Sequence, residues 1–242
     1  TRGWIQISDT TLGKVSAGAV DNALGKADNL IVSLGDGGSA IVTFETPITN
    51  GLGADFVIFE NAIKNNSNDS LAFLELATVA VSSNGIDFVT FPAVSNTQID
   101  TQLDTFGYLD ASKIHNLAGK YTANWGTPFD LDVLRNEPNL DITRITHIKI
   151  TDVVGSIDER WATYDSNGNI INDPFPTPYY TGGFDLDAVG GIHLYQTNSI
   201  HPLNQQGIQV YPNPTHDVVY INVAFDSYAI FNVNGLDVTN ET

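Results

Sequence analysis

The amino-acid sequence predicts an all-β protein built as a β-sandwich or jelly roll, and three observations support this prediction. Short apolar runs alternate with turns rich in glycine, asparagine and aspartate, which is typical of many short antiparallel strands. Helical spacing is rare, and only residues 102–117 and 128–135 predict short helical turns. All ten Lys and Arg residues lie at or before Arg160, so the rest of the chain has no basic side chain. Amphipathic helices normally carry lysine along their solvent face, so this part of the chain is unlike a helical bundle.

The individual strands follow from the apolar runs and from the turns between them. Asn84 and Gly85 separate two β-branched runs and predict a hairpin, because both residue types tolerate a positive φ. Residues 145–150 read Ile-Thr-His-Ile-Lys-Ile, which is typical of a half-buried strand. In chain order the predicted strands are 30–34, 40–44, 55–59, 73–81, 86–91, 145–150, 189–195, 208–211, 218–223 and 228–233.

Composition excludes several classes of protein. The chain has 242 residues with 28 acidic and 10 basic side chains, and its formal charge of −18 argues against nucleic-acid binding. Hydrophobic residues make up 42%, which is enough for a core. No apolar run approaches the roughly 18 residues that cross a bilayer, so we expect no transmembrane segment. The absence of cysteine excludes disulfides, thiolate metal sites and a cysteine nucleophile.

A polar, proline-containing segment at residues 198–206 predicts a linker. It separates a β-sandwich domain over residues 1–197 from a smaller β unit over residues 207–242. The chain begins at Thr1 rather than at Met, which predicts a processed product or a fragment. Removal of a signal peptide would explain that beginning.

The smaller unit carries a motif that resembles a known sorting domain. Its characteristic residues are Tyr211, Pro212, Asn213, Pro214, Asp217 and Gly235. Residues 207–242 resemble the type A C-terminal sorting domain of the type IX secretion system of Bacteroidota, without the closing strands of that family. The resemblance implies a partial Ig-like β-sandwich that acts as an export signal. The implied partners are an outer-membrane translocon and a shuttle barrel protein, and the implied location is secreted or on the outer-membrane surface after transit through the periplasm.

The larger unit also shows a resemblance, carried by glycine- and aspartate-rich motifs at residues 34–39, 53–61, 81–85, 126–131, 152–158 and 182–189. As a set they resemble a Bacteroidota-type cell-surface protein domain for which no activity is established. The implied architecture is a galactose-binding-like jelly roll, the shape of many carbohydrate-binding modules. Fold alone does not determine function, so this implication covers shape only.

Acidic residues in apolar surroundings predict a calcium site. Asp185 and Asp187 alternate in a strand, so we expect both carboxylates on one face, where a cation would relieve their repulsion. Calcium takes about six to eight oxygen ligands, which Asp36, Asp55 and Glu60 could complete. Two alternatives remain for the aspartate pair: an exposed strand face, or ion pairs with a basic side chain. A third alternative is that Glu60 and Glu75 are buried and hydrogen-bonded. The candidate basic partners are Arg144, Lys149 and Arg160.

Aromatic residues near the acidic motifs predict a carbohydrate site. Tyr179 and Tyr180 end a proline-rich loop at residues 173–180, and Trp125 is a third candidate. Sugar rings pack their CH faces on aromatic rings, while aspartate or asparagine binds their hydroxyls. The alternatives are that the loop is a lid over the core and that Trp125 is a core residue.

The sequence contains no catalytic motif, so we expect a non-catalytic, carbohydrate-binding or adhesive protein. A glycan-processing enzyme and a structural, gliding-motility-linked surface protein are the alternatives. Ser70 and Thr10 each follow an aspartate in a short pattern that fits O-glycan attachment in Bacteroidota, and Ser70 lies in a polar loop.

Overall fold

The computed structural model describes residues 1–196, 210–211, 220–221 and 239. Its strands are β1 (Val32–Ser33), β2 (Ser39–Ile48), β3 (Phe56–Glu60), β4 (Ile63–Lys64), β5 (Ala72–Phe73), β6 (Ala77–Ser82), β7 (Val89–Thr90), β8 (Val94–Ser95), β9 (Ile114–His115), β10 (Leu117–Ala118), β11 (Thr127–Phe129), β12 (Ile145–Asp152), β13 (Asp185–Gly191), β14 (Val210–Tyr211) and β15 (Tyr220–Ile221). Short 3₁₀ turns cover Thr10–Leu12, Val20–Ala23, Ala111–Lys113 and Leu131–Leu134.

Two antiparallel sheets form the sandwich. One has the strand order β1-β13-β3-β11, and the other has the order β10-β6-β12-β2 with β7 also paired to β6. Along the chain, β1, β3, β11 and β13 enter the first sheet, while β2, β6, β10 and β12 enter the second. This alternation, with the first and last of these strands side by side, is jelly-roll connectivity. The predicted all-β jelly-roll sandwich is therefore confirmed for the larger unit.

The core lies between the sheets and is built around three phenylalanines. The rings of Phe56 and Phe129 stack with centroids 5.1 Å apart and planes 8° apart. Phe91 meets both rings edge-on, at 5.8 Å from Phe56 and 5.0 Å from Phe129. β3 alternates between buried and half-buried residues, so its apolar face points into this core. Aliphatic residues complete the core from both sheets: Val32, Ile58, Leu186, Val79, Val81, Ile148 and Ile150.

The predicted hairpin at Asn84 is confirmed. β6 and β7 pair antiparallel, with Val81 opposite Val89. Asn84 Oδ1 accepts hydrogen bonds of 2.9 Å from the backbone N–H groups of Ile86 and Asp87. Gly85 has a φ of +76°, which a residue without a Cβ adopts at little cost.

Two predicted strands and both predicted helical stretches differ from the structure. The single strand expected over residues 73–81 is wrong, because β5 and β6 are separated by Leu74, Glu75 and Leu76. The Leu76 N–H leaves the strand pattern to donate a 2.9 Å hydrogen bond to Asp173 Oδ2. The strand expected over residues 189–195 is shifted to Asp185–Gly191, where its first residues pair with β1. The two predicted helical stretches contain only the 3₁₀ turns Ala111–Lys113 and Leu131–Leu134.

The chain divides into two compact units, Thr1–Tyr195 and Gln196–Thr242. In the second unit β14 and β15 pair antiparallel, with Val210 opposite Ile221 and Tyr211 opposite Tyr220. The predicted linker at residues 198–206 and the predicted strand at 228–233 lie outside the described residues. So do most residues of the sorting motif: Pro212, Asn213, Pro214, Asp217 and Gly235.

Candidate functional site

A cleft of about 180 Å³ opens where β13 begins, beside the segment that joins β5 to β6. It combines three aromatic rings, two carboxylates, one side-chain amide and three threonines. These residues are Phe73, Phe106, Tyr179, Glu75, Asp185, Asn61, Thr105, Thr177 and Thr181. The cleft therefore has the mixture of apolar and hydrogen-bonding groups that ligand sites generally have.

The aromatic wall is continuous. The ring centroids of Phe73 and Phe106 lie 6.4 Å apart, and those of Phe106 and Tyr179 lie 6.0 Å apart. Phe106 is 64% exposed and Tyr179 is 47% exposed, so both rings offer a free surface. Such a wall can accept the flat apolar side of a small ring.

Asp185 provides the deeper polar wall. Its carboxylate is buried and accepts a hydrogen bond from Ser33 Oγ, and Asn61 Nδ2 donates to its other oxygen at 3.1 Å. Burial raises the pKa of Asp185 to about 6, although Ser33, Asn61 and the positive charge of Arg2 act in the opposite direction. The donors are neutral, so they replace only part of the hydration that the carboxylate loses.

Glu75 is the most unusual group in the cleft. The residue is only 7% exposed, and its side chain has no hydrogen-bond partner among the described residues. Burial raises the pKa of Glu75 well above its ordinary value, and the neighbouring charge of Asp185 raises it further. A buried carboxyl group without a donor is costly to ionise, so it favours the protonated form or a cationic partner.

The chain on either side of Glu75 explains why it is buried. Leu74 and Leu76 are fully buried, and they hold the intervening residue at the rim of the core. Gly119 lies against its backbone, where an added Cβ would come within 2.1 Å of the Glu75 carbonyl oxygen. Gly119 also has a φ of +82°, so a side chain there would be strained as well as crowded. The backbone packing therefore keeps the Glu75 side chain beside the cleft.

Three of the other residues predicted to bind calcium, Asp36, Asp55 and Glu60, accept hydrogen bonds from backbone N–H groups and hold loops in place. Asp36 Oδ2 accepts from Ile7 N at 2.7 Å, and Glu60 Oε2 accepts from Ala62 N at 2.7 Å. Asp55 accepts from the backbone N–H groups of Gly51 and Leu131, both at 2.7 Å. These hydrogen bonds satisfy buried carboxylates without a metal.

Asp187 and Asp185 do not share one site on a common strand face, as the alternation predicts. The β13–β3 register shifts between Leu186 and Ala188, so a bulge at Asp187 interrupts the regular period of two. Asp187 accepts from the backbone N–H groups of Asp28 and Asn29 at 3.2 and 3.3 Å, whereas Asp185 binds Ser33 and Asn61.

Both alternatives for the aspartate pair are wrong. Asp185 and Asp187 are buried rather than exposed, and no ion pair joins either of them to a basic side chain among the described residues. Arg160 instead pairs with Asp158. For Glu60 the buried, hydrogen-bonded alternative is confirmed. Glu75 is buried but lacks the hydrogen bond.

The calcium site itself stays a prediction. Within the described part of the chain, no three or more histidine, aspartate or glutamate side chains come together in a metal-binding arrangement. The five predicted carboxylates therefore do not form one ligand set in this geometry.

The predicted sugar-binding aromatics are divided between different surfaces. Tyr179 lines the cleft with Asp185. Tyr180 is 68% exposed and lines a separate depression with Ile5 and Leu12. Trp125 is 73% exposed, so the alternative that places it in the core is wrong, and it does not line the cleft. Tyr179 is thus the one of the three that lines the cleft with Glu75 and Asp185.

Sequence reasoning missed Phe106 and Asn61 as residues of the cleft. Phe106 lies in a segment that predicted a helical turn, so its pattern gave no sign of an exposed aromatic wall. Asn61 follows β3 directly, and an amide at the end of a strand beside Glu60 was the available signal. Its partner Asp185 is distant in sequence, so only the tertiary fold brings the two together.

The residues predicted to carry glycans are accessible. Ser70 is exposed in the loop between β4 and β5, and its N–H donates to Asn68 Oδ1 at 3.0 Å. Thr10 is exposed at the first position of a 3₁₀ turn that Asp9 caps. Glycan attachment at either residue stays a prediction.

The fold and the cleft together define the class of protein: a jelly-roll β-sandwich with an aromatic and acidic cleft at one end of the first sheet. Comparison of the chain with family models, with curated proteins and with solved structures finds no match. Among the described residues, no helix is both long and apolar enough to cross a membrane.

Proposed function

We propose that the jelly-roll unit is a non-catalytic carbohydrate-binding module of a secreted or cell-surface protein. The observation that carries this proposal is that Tyr179 and Asp185 line one cleft. An exposed ring beside a buried carboxylate matches the two faces of a sugar, one formed by CH groups and the other by hydroxyls.

The cleft supports a specific arrangement of the sugar. One pyranose ring would pack its CH face against Tyr179 and Phe106, whose rings are both exposed. Its hydroxyls would point toward Asn61 and Asp185, where a donor and an acceptor lie side by side. The volume of about 180 Å³ is below the roughly 300 Å³ at which pockets for drug-sized ligands begin, so the site suits one sugar unit of a longer chain.

Replacement of Tyr179 by alanine tests this function, with Tyr180→Ala as the matched control. Each protein would be tested on an array of polysaccharides and oligosaccharides, both in calcium and in EDTA. Binding that is lost in Tyr179→Ala and retained in Tyr180→Ala is the expected result. Equal binding by both variants would contradict the proposed site, and the absence of any binding by the unaltered protein would contradict the function.

We also propose that the type IX secretion system exports the protein. The support is the Tyr-Pro-Asn-Pro motif of the sorting-domain resemblance, whose first residue, Tyr211, lies in β14 and pairs with Tyr220 of β15. The partners would be the outer-membrane translocon and the shuttle barrel protein. Expression of the chain with and without residues 207–242 in a Bacteroidota host tests this route. Surface delivery should require those residues, and periplasmic retention of both forms would contradict it.

A glycan-processing enzyme is the second candidate, and one observation favours it. Glu75 and Asp185 are two carboxyl groups with raised pKa values that line the same cleft, as a general acid and its partner would. Release of reducing ends from any glycan that binds would decide the matter. Turnover that disappears in Glu75→Gln would establish the enzyme, whereas binding without turnover supports the module. A structural or gliding-motility role would show neither.

A further inference from the structure

The starting point is that Glu75 is a buried acid without a donor. Three nearby carboxyl groups are also buried, but each accepts a hydrogen bond. Asp185 accepts from Asn61 Nδ2, Glu60 from Ala62 N and Asp173 from Leu76 N. Glu75 shares their surroundings but receives no hydrogen bond from the described residues. Glu75 lines the cleft, so the missing donor can come from a ligand.

The charges around Glu75 favour a positively charged donor over a neutral one. The carboxylates of Asp185, Glu60, Asp173 and Asp152 all act on it and disfavour its ionised form. None of the described residues that line the cleft is basic. A group of negative charges without a cation attracts a positive group far more strongly than a neutral one.

Arg2 does not supply the missing charge. Its guanidinium nitrogens donate to the backbone carbonyl oxygens of Ala17, Ser33 and Gly18, which uses three of its five N–H donors. Its positive charge lowers the pKa of Asp185, whereas the charges that act most strongly on Glu75 are all carboxylates. Glu75 therefore remains the unpaired carboxyl group of the cleft.

The aromatic wall favours an organic ammonium group as the cation that binds Glu75. Tyr179 and Phe106 form an exposed pair of rings on the same cleft, and aromatic faces attract organic ammonium groups. A bare metal ion would instead need several converging ligands, and within the described residues no three or more histidine, aspartate or glutamate side chains form a metal-binding group. The combination of ring faces and one free carboxyl group fits an ammonium group carried on a ring.

We propose that the cleft recognises an amino sugar with a free, protonated amino group, whose ammonium group binds Glu75 while its ring packs on Tyr179 and Phe106. This inference rests on the proposed carbohydrate-binding function and names the class of sugar. The ammonium group donates the hydrogen bond that Glu75 lacks, and it pairs with the ionised carboxylate. An N-acetylated amino sugar carries no positive charge and cannot make this pair.

Calorimetric titration of the full chain with three tetrasaccharides tests the inference. The probes are a β-1,4-linked glucosamine tetramer, its N-acetylated counterpart and cellotetraose. We expect the glucosamine tetramer to bind at least about tenfold more tightly than the other two, since a charged hydrogen bond is worth roughly that factor. Equal affinity for all three would overturn the inference and leave the carbohydrate function standing. No binding of any probe would overturn the inference, while the array of polysaccharides and oligosaccharides would still decide the carbohydrate function.

Glu75→Gln is the decisive variant, and Glu45→Gln is its matched control because it removes the same charge from an exposed position on β2. Only Glu75→Gln should remove the preference for the glucosamine tetramer. An equal loss in both variants would indicate general attraction to a chain of charge −18 and would overturn the inference.

A second measurement does not depend on a variant. Carboxyl ¹³C NMR of the unaltered protein should show the pKa of Glu75 falling when the glucosamine tetramer binds and staying constant with cellotetraose. An unchanged pKa with the glucosamine tetramer would overturn the inference.

Discussion

Asn61 Nδ2 donates a 3.1 Å hydrogen bond to the Asp185 carboxylate, while Ser33 Oγ donates to the other carboxylate oxygen. Ser33 lies in β1 and Asn61 follows β3 directly, and these two strands flank β13. The neighbours of the central strand thus hold its buried carboxylate from both sides. Because both donors are neutral, the pKa of Asp185 stays near 6 rather than falling below its ordinary value.

Replacement of Asn61 by alanine should raise the pKa of Asp185 above about 6. The variant removes a donor that stabilises the charged form, and it adds no positive charge in its place. Carboxyl ¹³C NMR titration measures the change directly. Asp158, whose pKa is lowered to about 2 by Arg160, serves as an internal control and should not move. A fall in the pKa of Asp185 would contradict the assigned hydrogen bond.

Stability should increase as the pH falls from 7 to 5. The pKa values of Asp36 and Asp185 are raised from 3.8 to about 6 in the folded protein, so the folded state binds protons more tightly than the unfolded state. Their contribution is fully present below about pH 4 and is lost as the pH rises through about 6. Urea unfolding at pH 5 and pH 7 measures the difference. A lower free energy of unfolding at pH 5 would contradict this prediction.

Asp36→Asn should stabilise the protein at pH 7. The amide oxygen can still accept the hydrogen bond from Ile7 N, and the side chain can no longer carry a buried charge. A pKa rise from 3.8 to about 6 corresponds to about 3 kcal/mol of stability, which is the largest gain expected. The same variant should weaken the pH dependence. Asp158→Asn is the control, because its titration near pH 2 lies below this range.

Asp55→Ala should cost about 3 kcal/mol or more of stability. Asp55 is fully buried, and its removal leaves the N–H groups of Gly51 and Leu131 and the ring of His193 without their acceptor. Asp130→Ala is the matched control, because Asp130 only caps the adjacent 3₁₀ turn and its loss should cost about 1 kcal/mol. Urea denaturation of the two variants distinguishes the roles, and equal losses would show that Asp55 is not the anchor.

Removal of calcium tests the metal site expected from the sequence. A bound ion would stabilise the folded state by mass action, so the calcium prediction requires that EDTA lower the melting temperature of the unaltered protein. Asp185→Asn should abolish that difference, and Asp165→Asn, outside the predicted set, should retain it. The same melting temperature in calcium and in EDTA would contradict the calcium prediction.

Local patterns were sufficient for much of the fold. The hairpin at Asn84 and Gly85 depends on residues that tolerate a positive φ, and the β12 strand depends on alternation within a few residues. These signals are local, so the chain displays them before any tertiary contact exists. The interruption between β5 and β6 could not be predicted from the sequence. The Leu76 N–H there donates to Asp173, which lies almost a hundred residues later in the chain.

The candidate site could be predicted only in part. Tyr179 and Asp185 stood out because an exposed aromatic loop precedes an acidic strand. Their partners Asn61 and Phe106 come from other parts of the chain, and the sequence did not reveal that they share one cleft. The expectation that Asp185 and Asp187 act together depended on regular alternation, which the bulge at Asp187 interrupts.

The sequence by itself determined the all-β class, the acidic charge and most strand positions, since each depends on composition or on neighbours along the chain. The tertiary structure decided which carboxylates find donors. Asp55 and Asp152 receive backbone N–H groups from distant loops, whereas Glu75 is buried beside the cleft without one. A buried carboxyl group can anchor a loop only when folding brings a donor within hydrogen-bond distance, and otherwise it is left able to bind a ligand.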